Sequence, residues 1–205
     1  APTMDLRGAP GVTSDPIPES VDGVPRWSGI ERWTAGTMSA LDRLEAFLDG
    51  PIDSYHLNRD RPDLEGTSSL SPWLAIGAIA SETCLRPLVE LYGNDSSTWP
   101  AGPRTWQSEL AWRDFYRHVM WNFPEVSKRK PMKAWTDEVP WSEDEHHFEA
   151  WCTGTTGIDI VDAAMRQLLA TGWMHNRMRM VTAMFLTKNL LIDWRKGEAF
   201  FAEQL

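Results

Sequence analysis

Residues 104–122 read RTWQSELAWRDFYRHVMWN, and this stretch decides the fold class. Trp106, Glu109, Arg113 and Tyr116 recur at spacings of 3, 4 and 3, and the run stops just short of Pro124. That period belongs to an α-helix; a strand would repeat every second residue. Similar patterns extend to both sides. Residues 35–49 put Met38, Leu41, Leu44, Phe47 and Leu48 on one face ahead of a Gly50-Pro51 stop. Ser71-Pro72 predicts a helix start, with Ser71 as N-cap and Pro72 in the first turn. A helix over about 82–92 and a loop over 93–103 follow. Beyond the central helix, 124–148 reads as a loop, 158–170 as a helix ended by Gly172, and 173–205 as a long apolar helix broken near 193–197 and followed by a short helix. No segment alternates as a strand does, so the expected fold is all-α. Residues 1–26, rich in Pro, Gly, Ser and Asp, read as an interdomain linker or surface loop. Residues 27–205 read as one helical domain, and a chain opening in a linker is expected to follow another domain.

Composition narrows the function classes. The 205 residues include 12 Trp against 3 Tyr and 7 Phe, more indole than packing readily explains, since a buried indole N–H needs an acceptor. The net charge of −9 excludes a globally basic nucleic-acid binder. Seven basic and fifteen acidic residues fall in the first hundred positions, against thirteen and fourteen in the rest. Arg104, Arg113, Arg117, Lys128, Arg129, Lys130 and Lys133 make 104–133 locally basic. That excess suits a patch facing a polyanion or a solvated basic loop. No apolar run spans a membrane and no signal-peptide plan opens the chain, so a cytoplasmic monomer is expected. The two cysteines, Cys84 and Cys152, make no disulfide scaffold. His146-His147, beside Glu143, Asp144 and Glu145, lacks further ligands at metal spacing and reads as an acidic loop.

Three segments carry polar groups that call for a ligand. Gly66-Thr67-Ser68-Ser69-Leu70-Ser71 offers hydroxyls and free backbone N–H groups of the kind a phosphate needs, although an ordinary capped turn would look the same. On the central helix, Glu109, Arg113 and the aromatic rings of Trp106, Trp112 and Tyr116 suit a planar polar ligand. Alternatively Glu109 and Arg113 satisfy each other as an i,i+4 pair. In TGWMHNRMRM (171–180), Asn176, Arg177 and Arg179 stand among indole and thioether groups, which is costly to bury without a charged partner. Met184 and Phe185 read as core. No GxSxG, HExxH, P-loop or GxGxxG pattern is present.

Taken together, EGTSSLSP (65–72), WQSELAWRDFYRH (106–118), TGIDIVDAAMRQLLATGWMHNRMRM (156–180) and LLIDWRKGEAFF (190–201) resemble the flavin-binding helical domain of the photolyase/cryptochrome family. The bacterial class I cyclobutane pyrimidine dimer photolyases look most similar. The resemblance runs from about Trp33 to Leu205. It implies a cofactor, FAD, active when reduced, with Tyr55, Thr67, Ser68, Ser69, Leu70 and Ser71 at its phosphates and ribitol. Trp106, Arg113, Trp173, Asn176, Arg179 and Phe201 are further wall positions. It also implies UV-damaged DNA as partner. Glu109, Trp112, Asn176 and Met180 would receive a flipped-out dimer with Tyr116 beside them, and Arg59 and Arg177 would touch backbone phosphates. Trp141 and Trp194 match the outer and middle members of the tryptophan chain that photoreduces the flavin.

Ser69 departs from the family, where many relatives have Arg. The sequence also ends before the family's Asp- and Asn-containing flavin loop, and it lacks the α/β domain that would hold a folate or deazaflavin antenna. The isolated chain is therefore expected to purify with little flavin. Within the family, a repair enzyme, a light-sensing cryptochrome and a flavin-free DNA-binding remnant are separate expectations. The lesion-facing pair Glu109 and Trp112, with Met180, favours repair.

Overall fold

A computed structural model describes residues 33–205; the expected linker over 1–26, and the stretch up to residue 32, lie outside it. The described residues are helical, with no strand and one isolated bridge between Ser142 and Ile192. No helix among them is long and apolar enough to cross a membrane.

The first layer comprises α1 (Thr37–Leu48), α2 (Tyr55–Asn58), α3 (Ser71–Ala75), α4 (Ser81–Tyr92) and the first half of α5 (Ala101–Asn122). Ala40, Leu44 and Phe47 of α1 enter a core with Tyr55, Trp73, Leu88, Trp106 and Leu110. Met38, expected on that face, is 69% exposed; the buried stripe is Ala40, Leu44 and Phe47. The α5 helix approaches the chain before α2 so closely that a Cβ on Gly102 would sit 2.0 Å from the Ile52 carbonyl oxygen. Only glycine permits that contact. Ser71 begins α3 but does not cap it: Leu70 holds the cap position with no side-chain bond, and the helix lasts only five residues.

The second layer comprises α6 (Glu145–Thr153), α7 (Asp159–Thr171), α8 (Asn176–Met184) and α9 (Trp194–Gln204), around Trp151, Met165, Leu168, Met174 and Leu186. The expected loop over 124–148 holds two 3₁₀ turns (Pro124–Lys128 and Ala134–Glu138) and the start of α6. Asp144 accepts from the His147 N–H and so caps that helix, turning the acidic run into a start signal. The α7 helix ends where expected, with Gly172 left-handed at φ 61°. The terminal stretch is two helices, as expected, but the first starts only at Asn176 and the break falls slightly before 193–197. A π turn over Phe185–Asn189 and Leu191 at φ 54° make the break, while Gly197 lies inside α9. Met184 is half exposed; Phe185 packs partly buried against the second core.

Many indoles are structural. Trp33, Trp73, Trp99 and Trp151 donate to the carbonyls of Thr171, Thr34, Gly93 and Thr182 at 3.0–3.1 Å. The bond from Trp33 to Thr171 ties the two layers together.

Candidate functional site

The two layers meet around an open cavity of about 630 Å³. Its walls come from the end of α2, the turn before α3, the middle of α5 and the start of α8. On it converge Tyr55, Arg59, Thr67 to Ser71, Glu109, Trp112, Arg113, Tyr116, Trp173, Asn176, Arg177, Arg179 and Met180. Asp60, Met174 and His175, which sequence reasoning did not single out, line it too.

Each wall has a local cause. Gly66 lets the hydroxyl-rich turn press against α2, where a Cβ would lie 2.5 Å from the Asn58 Cβ. Arg43 of α1 fixes the turn from behind, its Nε donating to the Ser68 carbonyl at 2.8 Å and Nη2 to the Thr67 carbonyl at 3.2 Å. Ser69 takes the left-handed φ of 53°. Among the described residues the backbone N–H groups of 67–71 donate to no backbone acceptor.

On α5 the expected stripe splits. Trp106 is 2% exposed and packs on Phe47 with ring centroids 5.1 Å apart, away from the cavity. One turn later Glu109 reaches the cavity, followed by Arg113 and Tyr116, as the helix leaves the core. Glu109 and Arg113 do not pair. Glu109 Oε1 accepts from Arg59 Nη1 at 2.6 Å, and Arg113 Nη2 donates to the Leu74 carbonyl at 2.6 Å. Trp112 is half exposed, edge-on to Phe115 at 5.2 Å. Tyr55 lies beneath Arg59, and burial, then the Glu109 charge, pushes its hydroxyl up to about 12.

At the start of α8, His175 is 3% exposed and caps the helix: Nδ1 accepts from the Arg177 N–H at 3.1 Å. That bond makes Nδ1 an acceptor and puts the proton on Nε2. Burial holds the ring's pKa below its ordinary value; Arg177 and Arg179 push the same way and Asp60 opposes them. The Arg59 backbone, close to the ring, pulls the other way, with Asp60. Nε2 of His175 and Nε of Arg179 are both buried with no partner among the described residues. Two orphaned donors on one cavity wall cost free energy that an acceptor-rich ligand would recover.

The remaining expected residues lie elsewhere. Phe201 packs tilted against Trp151, ring centroids 5.4 Å apart, and lines a separate apolar groove with Trp194. Trp194 also lines a second apolar groove with Trp141. Two cations of the basic stretch are paired: Lys128 and Lys130 both hold Glu125, whose carboxyl they pull down to about 2.

Residues 106–205 match the family model described as the FAD binding domain of DNA photolyase. The chain belongs to the photolyase/cryptochrome family. It is 48% identical over 168 residues to a deoxyribodipyrimidine photo-lyase of Salmonella typhimurium, covering 82% of this chain and 35% of that one. To the Escherichia coli deoxyribodipyrimidine photo-lyase it is 43% identical over 192 residues, 93% of this chain and 40% of the other. Among solved structures, a class III photolyase from Agrobacterium tumefaciens superposes with a TM-score of 0.79 at 40% identity, over 86% of this chain and 36% of that chain. A Synechocystis cryptochrome superposes at 0.74 with 31% identity, over 88% and 38%. The chain thus spans little more than a third of the length of these photolyase/cryptochrome relatives.

Proposed function

We propose that the protein repairs cyclobutane pyrimidine dimers in DNA with blue light, using reduced FAD. The supporting observation is that a hydroxyl-rich turn with N–H groups unpaired by backbone, two orphaned buried donors and the Glu109–Trp112 face share one cavity. Such a donor set fits a pyrophosphate and a polar heteroaromatic ring. In this reading Thr67 to Ser71 hold the phosphates, while Arg179 and His175 offer N–H groups to ring or ribitol oxygens. The chemistry reduced FAD supplies when bound is a light-driven loan of one electron to the dimer, returned once the ring has split.

The chain's own residues bind and orient. Trp112, half exposed at the mouth, offers a stacking face to a looped-out base pair step. Glu109 offers a carboxylate acceptor to the lesion's N–H edge and is held in place by Arg59. Arg59 and Arg177 meet backbone phosphates, which makes binding salt-sensitive on an otherwise acidic protein. Trp141 and Trp194, flanking one groove, relay electrons from the surface.

A repair assay tests this. Anaerobic protein carrying reduced FAD is illuminated with an oligonucleotide containing one thymine dimer, and recovery of absorbance near 260 nm is followed. Recovery that needs light and FAD is expected. Flavin photochemistry with no loss of dimer would instead favour a cryptochrome-type photoreceptor, the reading to which the Synechocystis neighbour lends weight.

A further inference from the structure

Four charged side chains alternate along one rim of the cavity. Glu109 pairs with Arg59 at 2.6 Å, Arg59 Nε stands 3.7 Å from Asp60 Oδ1, and Arg177 Nη2 donates to that same oxygen. Two guanidinium groups, brought from α8 and from the end of α2, therefore converge on a single carboxylate oxygen. Asp60 is 57% exposed, and among the described residues it caps no helix and accepts no backbone hydrogen bond. Among the described residues its ion-pair partners are the two arginines. Held between them, its carboxyl stays below the usual carboxylate range, chiefly through the Arg177 hydrogen bond. One anionic oxygen set between two guanidinium groups is also how a phosphodiester oxygen is held.

We propose that Asp60 is a built-in stand-in for a nucleic-acid phosphate. Its carboxylate fills the seat between Arg59 and Arg177 and gives way when a backbone phosphate enters. This rests on the reading that these arginines meet DNA. The row Glu109, Arg59, Asp60, Arg177 sums to no net charge; without Asp60 the rim would be cationic. Every strand, damaged or not, must displace the carboxylate before gaining the phosphate contact. The exchange lowers affinity uniformly and keeps the protein from lingering on undamaged DNA. An exposed ion pair of this kind is weak, so the displacement is readily reversible.

The test is fluorescence anisotropy of the purified protein with a 20-nucleotide single strand, with and without one thymine dimer, across a salt series. Asp60→Asn keeps the shape and removes the charge. It should tighten binding to both strands about two- to fivefold at low salt and steepen the salt dependence. Arg177→Ala should weaken binding to both, and in that background Asp60→Asn should lose most of its effect. If Arg177→Ala weakens binding but Asp60→Asn leaves it unchanged or weaker, the proposal fails alone. Tightening of equal size with and without Arg177 reduces Asp60 to bulk charge and also overturns it. Binding unaltered by Arg177→Ala refutes the phosphate reading of Arg177, and the proposal falls with it.

Discussion

Arg59 and Glu109, fifty positions apart, form a 2.6 Å ion pair that fixes the one cavity-facing carboxylate on α5. Glu109 is therefore pre-positioned, and Arg59 is committed to it before any ligand arrives. Glu109→Ala should keep FAD and leave DNA binding unchanged or slightly tighter, because it frees Arg59. Repair per absorbed photon should drop by roughly half or more, since a charge-assisted hydrogen bond to the lesion is lost. Quantum-yield actinometry beside an anisotropy titration separates the two effects.

Arg43 holds the hydroxyl-rich turn through two carbonyls and lies outside the cavity. Arg43→Ala should leave helix content intact while FAD affinity falls about tenfold, as the turn loses about 1–2 kcal/mol of support in total. Flavin fluorescence titration measures it.

Gly102→Ala tests the packing of α5 on the chain before α2. The new methyl meets backbone oxygens of Ile52 and Asp53, neither of which can swing aside. A loss of about 1–3 kcal/mol in stability is expected, read from denaturant unfolding.

His175 should make stability depend on pH. Its folded pKa is depressed by burial, so the folded state resists protonation more than the unfolded chain does. Its contribution is complete above the unfolded value of about 6.5 and is lost as pH falls from there toward the folded pKa. The melting temperature should drop over that window. His175→Asn, whose side-chain oxygen can still accept from the Arg177 N–H, should flatten the drop.

The sequence made some of this legible and hid the rest for physical reasons. Helices α5 and α7 were readable because their periods are long and their ends carry Pro124 and Gly172. The α6 helix was not, since its nine residues are short and its cap, Asp144, hides in an acidic run. Spacing correctly grouped Glu109, Arg113 and Tyr116, but it could not tell that Trp106, on the same stripe, points into the first core. A period gives a face and not what the face meets. The Glu109–Arg113 pairing was equally plausible from spacing, and only the approach of α2 brings Arg59 to Glu109 instead. A lone histidine before Asn176 could have been flagged as a helix cap, which is the one local signal His175 offers.

The central claim is that one cavity, bounded by the 67–71 turn, Glu109, His175 and Arg179, seats the flavin and faces the lesion. A crystal structure of the FAD-loaded protein tests it most directly. The account predicts pyrophosphate density within hydrogen-bond reach of the 67–71 N–H groups, and flavin or ribitol oxygens at His175 Nε2 and Arg179 Nε. Flavin lodged instead in the apolar groove of Trp194 and Phe201, with both donors still unpartnered, would contradict it.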